Sequence, residues 1–112
     1  MIPTPIRLTS EEVKYVLKKG ASLSTEFFIV RYLPNQEGKS SKFAVITSAK
    51  LSAKAVERNL IRRRTYEAIR LNNENTVKYR LVLIPKKRTL KIEYKEIEAD
   101  IKKLFTQLQN NG

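Results

Sequence analysis

The chain has 112 residues, with 23 Lys plus Arg against 11 Asp plus Glu, and a formal net charge of +12. It contains no cysteine and no histidine, which excludes disulfides, thiolate nucleophiles, His-based triads and Cys/His zinc sites. A chain of this length forms one domain that buries roughly 65% of its unfolded surface in a single core. The apolar fraction of 41% is enough to fill that core. A positive field of this size attracts polyanions, nucleic acid before an anionic membrane. No apolar run approaches the roughly 20 residues that span a bilayer. The opening MIPTPIR carries no apolar signal-peptide region, so the expected location is the cytoplasm.

In chain order, Met1 to Ile6 holds Pro3 and Pro5 and reads as an extended entry. Thr9-Ser10-Glu11-Glu12 fits a capping box that opens a helix over 10–19. Val13, Val16 and Leu17 form its apolar stripe, and Gly20 is a natural stop. The β-branched and aromatic run that ends at Leu33 predicts a strand over 22–33. Pro34 to Ser41 reads as a polar loop, followed by a second strand over 43–48. Residues 53–72 lack Gly and Pro and span about five helical turns, ending among Asn72, Asn73 and Asn75. Tyr79 to Ile84 reads as a buried strand stopped by Pro85. Lys86-Lys87-Arg88 is a basic turn that either touches phosphate or merely solvates. Ile97, Ile101, Leu104 and Leu108 mark a last helix over 93–109. The order predicts a two-layer α/β (α+β) sandwich, one sheet with its helices on one side.

The 53–72 helix is the informative stretch. Five arginines and one lysine lie within the 17 residues from Lys54 to Arg70. On a helical wheel, Ile61, Thr65, Ala68 and Ile69 share a buried arc about 100° wide, while Arg58, Asn59, Arg62, Arg63 and Arg70 share a polar one. Arg64 and Leu60 fall outside that polar arc. Guanidinium forks match phosphate oxygens bidentately, and so many cations on one face repel each other without an anionic partner. Tyr66 is a candidate stacking surface for a base. The plainer reading is a solvated helix face laced by Glu57 and Glu67; the whole-chain charge favours nucleic acid.

Lys50-Leu51-Ser52-Ala53-Lys54-Ala55-Val56-Glu57-Arg58-Asn59-Leu60-Ile61-Arg62-Arg63-Arg64, with Ala68 beyond, resembles the signature of the bacterial ribonuclease P protein component. Arg7-Leu8, Val16 to Gly20, Phe28-Ile29-Val30 and Tyr94 to Ile97 resemble its flanks, over about residues 7–108. Leu60 stands where the signature carries a second arginine, and Tyr66 stands at a commonly basic position. Ala53 replaces a frequent glycine, and Val13 and Leu17 replace a frequent aromatic pair.

The resemblance implies an α-β-β-β-α-β-α order and a mixed four-stranded sheet of the ribosomal protein S5 domain 2-like type, with a left-handed βαβ crossover. It implies two partners, a catalytic RNA and precursor tRNA, and no membrane, with the protein monomeric in the holoenzyme. It implies magnesium held mainly by the RNA, no organic cofactor, and no catalytic residue in this chain. Lys50, Lys54, Arg58, Asn59, Arg62, Arg63, Tyr66 and Arg70 would meet the catalytic RNA. Val13, Leu17, Phe27, Arg31 and Ser48 would line a cleft for the single-stranded 5′ leader. Strand alternation groups Phe27 with Ile29 and Arg31 on that cleft face.

Two other readings compete. One is a non-catalytic ribosomal or structural RNA-binding protein of similar fold. The other is a metal-dependent nuclease acting alone, which needs converging carboxylates. Glu93, Glu96, Glu98 and Asp100 are the only acidic cluster, and they read as an ordinary charged helix surface.

Overall fold

A computed structural model describes residues 7–35, 41–72 and 78–111. Residues 36–40 of the expected loop, the asparagines at 73 and 75, and the entry segment before Arg7 lie outside the described residues. The elements are α1 (Ser10–Lys19), β1 (Ala21–Ser24), β2 (Phe28–Pro34), β3 (Lys42–Val45), α2 (Ala55–Asn72), β4 (Tyr79–Pro85), a 3-10 turn (Lys87–Lys91) and α3 (Tyr94–Asn111).

The sheet order is β1-β2-β4-β3. β2 pairs antiparallel with both β1 and β4, whereas β3 pairs parallel with β4. The connection from β3 to β4 is therefore a crossover, and α2 forms it, as a parallel pair requires. The far edge of β3 is not bare: Leu8 N donates to Phe43 O at 2.9 Å, so the incoming chain covers it.

Alternation along the strands separates two cores. Phe28 and Val30 of β2, Phe43 and Val45 of β3, and Leu81 and Leu83 of β4 face α2 and α3. There they meet Tyr66, Ala68 and Ile69 of α2, and Ile97, Ile101, Leu104 and Leu108 of α3. Val82 and Ala44 point the other way and pack against Val16 of α1. The expectation that all helices lie on one side is corrected here. The mixed sheet with three helices stands, but α1 covers part of the opposite face. The reason is that β4 is apolar on both faces, so each face needs a cover.

The expected long strand over 22–33 is also corrected: it is a hairpin, β1 and β2, joined at Thr25–Phe27. Thr25 N donates to Phe28 O at 2.9 Å and Phe28 N to Thr25 Oγ1 at 3.1 Å. The carboxylate of Asp100 on α3 accepts from Thr25 Oγ1 at 2.6 Å and from Phe27 N at 3.1 Å. Asp100 is buried, which corrects its reading as charged surface. A threonine and a distant aspartate make this turn, so no glycine, proline or asparagine marks it.

The α1 capping box is present. Glu12 N donates to Thr9 Oγ1 at 3.2 Å, and Thr9 N donates to Glu12 Oε1 at 2.9 Å. The bond from the Thr9 backbone first, then the Thr9 hydroxyl and the charges of Lys42 and Arg80, hold the Glu12 carboxyl below its ordinary pKa. Gly20 ends the helix for a reason other than backbone handedness, since its φ is −72°. A Cβ there would lie 2.5 Å from Val16 O and 3.0 Å from Tyr32 O. Close approach of helix to sheet demands the glycine.

Candidate nucleic-acid interface

The loop leading into α2 is built from short hydroxyl bonds. Ser48 Oγ accepts from Lys50 N at 3.2 Å, and Ser52 Oγ accepts from Lys54 N at 3.1 Å while donating to the Glu57 carboxylate. Leu51 is buried beneath the loop, and Ser48, Lys50 and Lys54 are exposed on it. Regular helix starts at Ala55, two residues later than expected, and Lys54 O accepts its first bond, from Arg58 N at 3.2 Å.

Most arginines of α2 are anchored. Arg58 Nη1 donates to Ser52 O at 2.8 Å. Arg62 Nη1 donates to Thr47 Oγ1 at 2.9 Å, and its Nη2 donates to Asn59 Oδ1. Arg64 Nη1 donates to Ile92 O at 3.3 Å, and Arg70 is ion-paired with Glu67. That pairing lowers the Glu67 pKa and raises that of Arg70. A guanidinium has five N–H donors, so one or two internal bonds orient the fork and leave donors outward. Arg63 is exposed and makes no hydrogen bond or ion pair among the described residues.

Tyr66 does not stand on this face. Its residual exposure is 7%, its hydroxyl accepts from Val45 N at 3.1 Å, and Arg7 lies 4.8 Å over its ring. The expectation of Tyr66 as an open stacking surface is corrected: it falls next to the buried arc of α2, and its hydroxyl finishes the edge of β3.

A second surface lies on the α1 side of the sheet. Cross-strand register puts Ser22 and Ser24 of β1, Ile29 and Arg31 of β2, and Val82 and Ile84 of β4 on this side. α1 covers only part of it, leaving Ile29 42% exposed beside its partner Ile84. Leu17 on α1 is also exposed, while Val13 is half-buried in the second core. Arg31 Nη2 donates to Leu17 O and Gly20 O, both at 2.9 Å, so it caps α1 and sets the helix against the strip. Phe27 is corrected: it sits in the hairpin turn and packs against the main core, on the other side of the sheet. Alternation starts only at Phe28, one residue too late to place it. A continuous apolar strand does not show which residue is left uncovered, so Ile84 has no signal in the sequence; Ile29 lies on the face that alternation assigned to the cleft.

Several of the described acidic groups are engaged. Asp100 is held by Thr25 and Phe27, Glu12 by Thr9, Glu57 by Ser52 and Glu67 by Arg70. Among the described residues no three Asp, Glu, His or Cys side chains gather to hold a metal ion. No described helix is long and apolar enough to cross a membrane.

The fold is that of solved ribonuclease P proteins. The Staphylococcus aureus ribonuclease P protein superposes with a TM-score of 0.78 at 20% identity, covering 90% of this chain and 93% of that one. Sequence carries the assignment further. A family model for ribonuclease P matches residues 4–109. The ribonuclease P protein component of Carboxydothermus hydrogenoformans is 37% identical over 78 residues, 69% of this chain and 67% of that protein. That of Coxiella burnetii is 29% identical over 104 residues, 93% and 85% of the two chains. This chain belongs to the ribonuclease P protein component family, which works with the ribonuclease P RNA in tRNA processing.

Proposed function

We propose that this chain binds the catalytic RNA of ribonuclease P through α2 and its entry loop, and holds the 5′ leader of precursor tRNA on the strip beside α1. The observation that carries the reading is the oriented arginine set of α2: Arg58 and Arg62 are fixed by atoms of the loop before the helix with donors to spare, next to exposed Lys50, Lys54 and Arg63. Neutralising several phosphates releases counterions and makes such binding tight and salt-sensitive. The exposed Ile29 and Leu17 offer apolar contact to unstacked bases, which every single strand presents.

Hydrolysis of the phosphodiester and its magnesium belong to the RNA in this reading. The protein binds and orients, in keeping with a chain that lacks histidine. No observation favours the alternative of a ribosomal or structural RNA-binding protein. The test is cleavage of precursor tRNA by a bacterial ribonuclease P RNA at low magnesium, with and without this protein. Cleavage should rise with the protein, and the protein alone should not cleave. Equal rates with and without it would end the proposal.

A further inference from the structure

Phosphate contacts do not account for a groove of about 590 Å³ between α2, the start of α3 and the incoming chain at Arg7. That volume is in the range of pockets that enclose a small planar molecule. Leu60, Tyr66 and Tyr94 wall it, with Arg7, Arg62, Arg63 and Arg64 also on its lining. Glu67, the carboxylate on that lining, is already paired with Arg70. A phosphodiester asks for donors and gains nothing from leucine and tyrosine rings. A base plane asks for apolar and π surface, and the Arg7 guanidinium, 4.8 Å over the covered Tyr66 ring, offers a flat platform of its own. Tyr94 stands on this wall, and its buried hydroxyl has no hydrogen-bond partner among the described residues. Such an orphan is costly unless a ligand supplies the partner, and base edges carry both donors and acceptors.

We propose that this groove receives one unpaired nucleobase of the bound RNA, with the neighbouring phosphates on Arg62 and Arg63. The inference rests on the reading of α2 as an RNA-binding helix. It adds that the helix contacts a splayed-out nucleotide as well as a duplex backbone. Duplex RNA keeps its bases stacked and cannot fill the groove.

Amide NMR titrations of the intact protein test it, with adenosine 5′-monophosphate against ribose 5-phosphate. The nucleotide should bind about tenfold more tightly, within the range that stacking one base contributes. Its shifts should centre on Leu60, Tyr66 and Tyr94. Leu60→Arg keeps the positive field but removes an apolar wall, so the preference for the nucleotide should disappear while ribose 5-phosphate still binds. Tyr94→Phe removes only the hydroxyl and should weaken the nucleotide severalfold. Equal affinity for the two ligands in the wild type, or shifts centred on Ile29 and Ile84, would overturn the base pocket. A separate titration with a bacterial ribonuclease P RNA reports on the α2 reading: absence of RNA binding would sink that reading whatever the nucleotide does.

Discussion

Arg63 and Arg58 sit five residues apart on one basic helix, yet their removal should have opposite signatures. Arg63 is exposed with no internal bond among the described residues, so Arg63→Ala should leave stability within about 0.5 kcal/mol. If it meets one phosphate, the slope of log affinity against log salt should fall by about 0.7–0.9, and affinity for the catalytic RNA by about tenfold. Arg58 is half-buried and donates to Ser52 O at 2.8 Å. A charge-assisted bond contributes about 1.5–3 kcal/mol when buried, and solvent screening reduces this to about 1 kcal/mol here. Arg58→Ala should therefore lower Tm by about 4 °C in a domain of this size. Its RNA defect should be at least as large as that of Arg63→Ala, because it also releases the Lys50–Lys54 loop. Thermal unfolding and RNA titrations from 50 to 200 mM salt measure both quantities. With about six phosphates neutralised, the wild type should lose about 10³-fold in affinity over that range. An Arg63→Ala variant with an unchanged salt slope, or with a lowered Tm, would show that the division between anchored and outward arginines is wrong.

The other expectations concern the hairpin, the two ends of α1 and the strip. Asp100→Ala orphans the Phe27 N–H and leaves the Thr25 hydroxyl only Phe28 O to donate to, and should cost about 1–3 kcal/mol in denaturant unfolding, whereas a true surface aspartate would cost almost nothing. Gly20→Ala forces a Cβ to within 2.5 Å of Val16 O and should destabilise by about 1–3 kcal/mol; unfolding no different from wild type would mean the contact relaxes freely. Glu12 has a folded pKa below its ordinary value of 4.5. Its contribution is complete above that value and lost as pH falls through the lower, folded one. Glu12→Gln should thus destabilise at neutral pH and converge on the wild type in acid; a gap that stayed constant would argue against the capping box. Ile29→Ala should leave binding of the catalytic RNA intact and reduce the preference for precursor over mature tRNA severalfold. Equal weakening of the two substrates would remove the leader from this strip.

Local patterns in the sequence were enough for much of this protein. The Thr9–Glu12 capping box, the Gly- and Pro-free run of α2, the three- and four-residue spacing of Ile97 to Leu108 and the block of apolar residues in β4 each depend on neighbours along the chain, and each appears where those neighbours place it. The basic character of α2 and the absence of cysteine and histidine likewise required no structure. Contacts between distant residues decided the rest. The turn at Thr25–Phe27 exists because Asp100, 75 positions away from Thr25, supplies its acceptor. Tyr66 is buried because Arg7 covers its ring and Val45 N needs its hydroxyl. Phe27 and Ile29 lie on opposite sides of the sheet because the turn resets the alternation between them. Which arginines are anchored and which reach outward depends on Ser52, Thr47 and Ile92, backbone and hydroxyl atoms that a helical wheel does not contain. A single helix period tells which side chains share a face; only packing against the rest of the chain tells what that face meets.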